Sequence, residues 1–202
     1  MNTLPPAYFI SRDPVREAQL RAACSACGLE SLHKWTPFMA KWNPRMGNSI
    51  SHYSLTQHLY ETGANEAIIL EDDAIPCDQI LDELPKELEE CRKEGVTALR
   101  IGWAFEKPNM ILGSHAYVLL SREGMVDWMK SLGTEWKMDL VFDHMETLAM
   151  QSSKCYFAQY VPKKSLMGIH GARGKWFGDM ECIKPGVTFK KASAALGIPE
   201  PF

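Results

Sequence analysis

Three consecutive carboxylates close a run of strand-forming residues at Ala67-Ile68-Ile69-Leu70-Glu71-Asp72-Asp73-Ala74-Ile75-Pro76. A buried strand that stops in Glu-Asp-Asp concentrates negative charge at the edge of a sheet, where open α/β sheets bind ligands. Two like charges about 4 Å apart repel by roughly 4 kcal/mol at an effective dielectric near 20. Solvent, a basic partner or a divalent cation must offset that repulsion. Oxygen-only ligands suit Mg²⁺ or Mn²⁺, ions that bridge protein carboxylates to substrate phosphates. Side chains alternate along a strand, so the three acids cannot serve one ion equally. Asp73 is expected as the direct metal ligand and Asp72 to face a bound donor. Glu71 is the acid that best fits a hydrogen-bond or ion-pair role within the fold. An exposed acidic turn is the opposing reading.

Other residues carry chemistry by type and spacing. Arg12 and Arg16 lie four apart at the first strand-to-helix turn, and a planar guanidinium holds a diphosphate or stacks on a base. A solvated basic helix start is the alternative. Asp139 and Asp143 are four apart on a predicted helix and so share a face; Asp139 also reads as that helix's cap. His52 and His58 share a helix but not a face. His52, beside Ser51, reads as a hydrogen bonder in a ligand pocket, and His58 as a surface or packing residue. Trp42, Trp103, Trp136 and Trp176 fall in or beside predicted loops, where rings stack on sugars. Trp103, at a strand end, is the foremost of these, with core burial as the alternative. Cys24-Ser-Ala-Cys27 is a lone CxxC in a predicted helix, without a second pair at zinc spacing, and all six cysteines are expected as reduced thiols.

The elements that must position these residues alternate between strand and helix. Ala7 to Ile10 reads as a first strand, and Asp13-Pro14 starts a helix that Gly28 stops. Leu32 to Trp35 is a second strand, 36–48 a loop, and Ser49 or Ser51 caps a helix through Tyr60. After the acidic run, Gln79 to Glu94 is amphipathic, with Ile80, Leu81, Leu84, Leu88 and Cys91 at helical spacing. Thr97 to Gly102 is a strand, and two short strands flank Gly113-Ser114-His115. Ser121 caps a helix, 138–150 forms another, and 155–161 is a strand. The order predicts a single α/β domain over 1–202, a mixed sheet flanked by helices, with an irregular tail from about 163.

Composition narrows the function classes. Apolar residues make up 46% and charged residues 23% of the 202-residue chain, as in an ordinary globular protein. A net charge of −3 gives no general nucleic-acid footprint. No apolar run approaches the roughly 18 residues of a membrane span, and the first residues lack a signal-peptide pattern. The expectation is a cytoplasmic protein.

The order of short motifs resembles glycosyltransferase family 25. Tyr8-Phe9-Ile10-Ser11-Arg12-Asp13-Pro14-Val15-Arg16 is similar to that family's opening strand and arginine-bearing turn. Gly47-Asn48-Ser49-Ile50-Ser51-His52 resembles its glycine–serine–histidine segment, and Ile69 to Ala74 its acidic signature. Gly113 to Gly124 resembles its later glycine–alanine–tyrosine strand and helix, and Met138-Asp139 stands where the family has a proline or similar residue before an aspartate. The resemblance covers roughly residues 7–170. It implies a GT-A-like, Rossmann-type mixed sheet and a nucleotide-sugar donor bound around Tyr8, Ile10, Arg12, Arg16, Ser51, His52, Glu71 and Asp72. It implies Mn²⁺ or Mg²⁺ held by Asp73, with His170 completing the shell. It also implies inverting transfer, with Asp139, aided by Asp143, as the base that activates an acceptor hydroxyl.

The function expected from these features is metal-dependent transfer of a hexose from a nucleotide-diphosphate donor, a UDP-hexose, to a glycan or other hydroxyl-bearing acceptor. Two readings compete: another metal-dependent nucleotidyltransferase or phosphohydrolase, and a non-catalytic glycan-binding module on a transferase-like fold.

Overall fold

A computed structural model describes residues 4–40, 44–107, 110–138, 151–152, 155–161, 175–177 and 182–200. β1 (Ala7–Ile10) leads into α1 (Pro14–Ala26), where the Asp13 carboxylate accepts from the Val15 and Arg16 amides. Pro14 sits in the first turn, where a missing N–H costs nothing. Beyond α1, Gly28 has φ of 84°, the left-handed geometry that glycine supplies at a helix end. β2 (Leu32–Trp35) pairs parallel to β1.

α2 (Pro44–Glu61) starts earlier than a serine cap at 49 or 51 predicts. Ser51 lies inside the helix, where its hydroxyl donates to the Gly47 carbonyl at 2.6 Å and accepts from the Phe38 amide at 2.8 Å. This back-bond to residue i−4 is a mid-helix habit of serine, and here it also ties down the loop before the helix.

β3 (Ala67–Glu71) and β4 (Ala74–Pro76) flank the turn that carries Asp72 and Asp73, and α3 (Ile80–Lys93) follows. β5 (Ala98–Lys107) and β6 (Met110–Leu119) are antiparallel. The two short strands predicted around Gly113 are one strand, although its register with β5 shifts there, from Ala116 opposite Gly102 to Leu112 opposite Ala104. α4 (Arg122–Met138), β7 (Gln151–Ser152), β8 (Phe157–Val161), β9 (Lys175–Phe177) and α5 (Lys190–Leu196) complete the described elements. β9 and α5 lie within the segment expected to be an irregular tail.

The main sheet runs β2-β1-β3-β6-β5-β7, and a second sheet runs β4-β8-β9. Strand alternation sorts the main sheet into two apolar faces. Phe9, Ile68, Leu70 and Val118 pack on one side with Leu20 of α1, Leu84 and Leu88 of α3 and Ala192 of α5. Ile10, Ile69, Tyr117 and Leu119 pack on the other with Leu55 and Leu59 of α2 and Met125, Trp128 and Leu132 of α4. Each large apolar side chain buried in this way contributes about 1.5–3 kcal/mol. The result is a three-layer α/β/α architecture, as the alternation of elements predicts.

Asp78 fastens the last helix. Its carboxylate accepts from the Lys190 and Lys191 amides at 3.1 and 2.9 Å and from the Thr188 hydroxyl at 2.7 Å. It therefore caps α5 from more than 100 residues away in sequence. No helix among the described residues is long and apolar enough to cross a membrane.

Candidate functional site

The site grows from one register. Ile10 of β1 lies opposite Glu71 of β3 in a parallel pair, so the carboxyl ends of two neighbouring strands finish side by side. The turn after β1 supplies Ser11, Arg12 and Arg16; the turn after β3 supplies Asp72 and Asp73. Crevices at such strand ends are where open α/β sheets place ligands.

Alternation then separates the acids. Glu71 follows Ile69 onto the α2 side, where Asn48 Nδ2 donates to its Oε1 at 3.1 Å and His52 Nε2 lies 3.3 Å from the same oxygen. Burial works against ionisation of Glu71, but the hydrogen bond and charge of His52, with Asn48, outweigh it and hold the carboxyl down at about 2. Behind Glu71, His52 Nδ1 is 2.7 Å from the Tyr117 hydroxyl, which also accepts from Trp128 Nε1 at 3.1 Å.

Asp72 turns the other way, towards α1. Arg16 Nη1 donates to its Oδ1 at 2.9 Å and the Ser11 hydroxyl to its Oδ2 at 2.8 Å. Burial nevertheless raises the Asp72 carboxyl above its ordinary value, the largest of several opposed effects, with Arg16 and Ser11 pulling it down and the Glu71 charge adding to the rise. Asp73 is buried at 8% exposure in the turn, and its carbonyl accepts from the Tyr160 amide at 3.0 Å, joining this turn to β8.

Not every sequence candidate joins this cluster. Arg12 is exposed and directs Nη1 to Met39 Sδ at 2.9 Å, away from the carboxylates. The Ile10 side chain is buried against the α2 layer, and Tyr8, half-buried on the same face, lies beside the His33 ring at 5.1 Å. Ser51 serves the loop before α2, as described above. His58 packs its ring against Trp35 at 5.1 Å, in keeping with a packing role. Asp139, Asp143, His170 and Trp42 lie outside the described residues.

Trp103 is a correction. Only 8% exposed, it sits in a small cluster with Cys155 and Cys182, and its amide donates to Cys155 Sγ at 3.2 Å. Core packing, not a sugar-facing platform, is its structural role. The six cysteines are free and buried, as the CxxC reading predicts.

Sequence reasoning left out Ser11, Asn48 and Tyr117. Asn48 stands four residues before His52, a same-face spacing that shows only when α2 is begun at Pro44. Tyr117 shares the sheet face of Ile69 by antiparallel register, and no local pattern announces that.

Of the two residues that the family resemblance implies as metal ligands, Asp73 lies in the turn after β3 and His170 lies outside the described residues. Among them no three His, Cys, Asp or Glu side chains converge to hold a metal ion. Both Asp72 oxygens are taken by Arg16 and Ser11, and Glu71 Oε1 by Asn48 and His52.

No protein-family model matches the sequence, and no curated protein matches it either. Among solved structures, the fold is similar to that of a glycosyltransferase involved in the glycosylation of the major capsid of PBCV-1. The identity is 7% and the TM-score 0.50, over 74% of this chain and 81% of that one. A197 from STIV matches at 12% identity and a TM-score of 0.49, over 85% and 98% of the two chains. A putative glucose-1-phosphate thymidylyltransferase from Bacillus anthracis matches at 8% identity and a TM-score of 0.41, over 77% and 89%. At such identities the likeness is one of architecture alone. The chain has a mixed α/β fold similar to that of this glycosyltransferase.

Proposed function

We propose that the protein is a glycosyltransferase that moves a hexose from a nucleotide-diphosphate donor, a UDP-hexose, to an acceptor hydroxyl. The observation that carries this reading is the meeting of Arg16, Asp72 and Glu71 at the carboxyl ends of adjacent parallel strands in a glycosyltransferase-like fold. The ordered motifs similar to family 25 support it.

In this reading Arg16 neutralises the diphosphate, the work for which a planar, permanently charged guanidinium suits. Released from Arg16, Asp72 accepts hydroxyls of the donor, and Glu71 does the same through Oε2, the oxygen that neither Asn48 nor His52 contacts. Transfer forms a bond from the acceptor oxygen to the anomeric carbon and breaks the bond from that carbon to the diphosphate. The acceptor proton passes to a base, for which Asp139 with Asp143 is the proposed source. Geometry of this kind supplies orientation and charge stabilisation, the main levers of group transfer. Six buried free thiols support a reducing, cytoplasmic location.

Calorimetry with UDP and UDP-hexoses, with and without Mn²⁺, tests the proposal. Binding weakened about 10-fold or more in Arg16→Ala, the scale of one lost charge-assisted hydrogen bond, is the expected result. Unchanged affinity in that variant would overturn it. Affinity that rises with Mn²⁺ and falls in Asp73→Ala or His170→Ala would bring a cation and those two residues into the site. Release of pyrophosphate from nucleoside triphosphates, without sugar transfer, would mark a nucleotidyltransferase instead.

A further inference from the structure

We propose that Trp128, Tyr117 and His52 form a directional hydrogen-bond relay that positions Glu71 for a hydroxyl of the bound donor, an inference that rests on the transferase reading above. The relay crosses three elements behind the sheet: Trp128 on α4, Tyr117 on β6 and His52 on α2, ending at Glu71 on β3.

Its direction follows from the donor inventory. The Trp128 indole N–H can only donate, so the Tyr117 oxygen accepts it at 3.1 Å. At the far end a carboxylate only accepts, so His52 carries its proton on Nε2, facing Glu71 Oε1. In the neutral, Nε2-protonated tautomer Nδ1 is bare and the Tyr117 hydroxyl, 2.7 Å away, donates to it; the imidazolium, whose charge helps hold Glu71 down, would reverse that last bond. The Thr56 hydroxyl, which donates to the His52 carbonyl at 2.8 Å, is also a hydrogen-bond partner of Tyr117. His52, Tyr117 and Trp128 are fully buried, and buried polar chains with each donor used are rigid. Asn48 supplies the second bond to the same Glu71 oxygen, at 3.1 Å. Both bonds fall on Oε1, so they orient the carboxylate with Oε2 left for a ligand O–H. Glu71 is 24% exposed while His52 is closed off. Only the end of the relay meets solvent. Tyr117 and His52 are positioning residues, acting through Glu71.

Two measurements test the relay. The first is the ¹⁵N spectrum of histidine-labelled protein, with His52 assigned by its loss in His52→Gln. Protonated Nε2 and bare Nδ1 are expected, with a shift of the Nδ1 resonance in Tyr117→Phe; protonated Nδ1 with bare Nε2 would overturn the assignment. The second is calorimetry with UDP-hexose on variants whose melting and circular dichroism show an intact fold. Tyr117→Phe should weaken binding about 10-fold, and His52→Leu at least as much, the cost of one misplaced polar contact. His52→Gln, which restores an N–H near Nε2, should recover most of the loss. Folded Tyr117→Phe with wild-type affinity would overturn the positioning role. If the wild type binds no nucleotide sugar, the transferase reading fails and donor positioning with it; the nitrogen spectrum then decides the relay's direction by itself.

Discussion

Glu71 and Asp72 are adjacent in the chain yet belong to opposite layers: Glu71 is held by Asn48 and His52 of α2, and Asp72 by Arg16 of α1 and Ser11 of the turn before it. Two carboxylates in succession are thus matched separately, without a shared counter-ion, although the Glu71 charge still raises the Asp72 carboxyl. One is matched by an amide and an imidazole, the other by a guanidinium and a hydroxyl. Their environments also move their ionisation in opposite directions.

Acid stability should report Glu71. Its carboxyl ionises at about 2 in the folded protein against 4.5 as reference. A depressed value of this kind gives stability that is complete above the unfolded value and is lost as pH falls through the folded one. The window is therefore pH 4.5 down to 2, and the amount about 3 kcal/mol. Asp72, raised by burial, has the opposite sign: its ionisation costs stability as pH climbs past its unfolded value. Urea unfolding across the acid range should show a shallower pH dependence for Glu71→Gln than for wild type. Parallel curves would refute the assignment.

Removing Arg16 should harm the fold more than removing its charge together with that of Asp72. The pair is 14% and 13% exposed. Arg16→Ala strands a mostly buried carboxylate, a class of change that costs about 3–5 kcal/mol. Arg16→Ala with Asp72→Asn leaves no uncompensated charge and should recover part of that loss. Denaturant midpoints of the two singles and the double measure the coupling; additive losses would mean that the ion pair is not coupled.

Two glycines of α4 should behave oppositely. A Cβ on Gly124 would lie 2.1 Å from the Thr97 carbonyl oxygen, against backbone, whereas nothing lies within 4 Å of one on Gly133. Gly124→Ala should cost about 1–3 kcal/mol or more through overpacking. Gly133→Ala should gain up to about 1 kcal/mol from helix propensity. Melting temperatures of the two variants, moved to opposite sides of the wild type, would confirm how closely the start of α4 packs on the strand entry at Thr97.

The thiols should be silent in the native state. Burial pushes Cys24 and Cys77 up to about 12 and Cys27 to about 11, and the thiolate is the reactive form. At pH 8 a disulfide reagent should titrate none of these three rapidly in native protein, and all six cysteines after unfolding. Fast native reaction at Cys27, mapped by mass spectrometry, would contradict its burial.

Much of this architecture was legible in the sequence because the signals are local. Asp13-Pro14 marks a helix start by cap chemistry alone, and Ala67 to Leu70 marks a buried strand by composition. The acidic triplet was placed correctly at the strand end, and alternation foretold that its members would part. What escaped notice depends on tertiary register. Asn48 was hidden by reading 36–48 as a loop, since proline and glycine there mask a helix that packing sustains. Tyr117 meets His52 only after β6 is laid antiparallel to β3. Arg16 reads as a phosphate ligand from its place in the turn, and its bond to Asp72 spans 56 residues, beyond any window of sequence. Trp103 reads as a strand end only if the strand stops at Gly102; β5 runs on to Lys107, and Cys155 and Cys182 pack beside the ring.

The remote cap supplied by Asp78 makes the final helix a latch. Seven residues cannot sustain a helix by themselves, so α5 owes its order to a carboxylate that belongs to the start of α3. Ala192 and Phe189 also close the apolar layer above α1. Proteolytic nicking there would therefore register opening of the whole layer rather than fraying of an end.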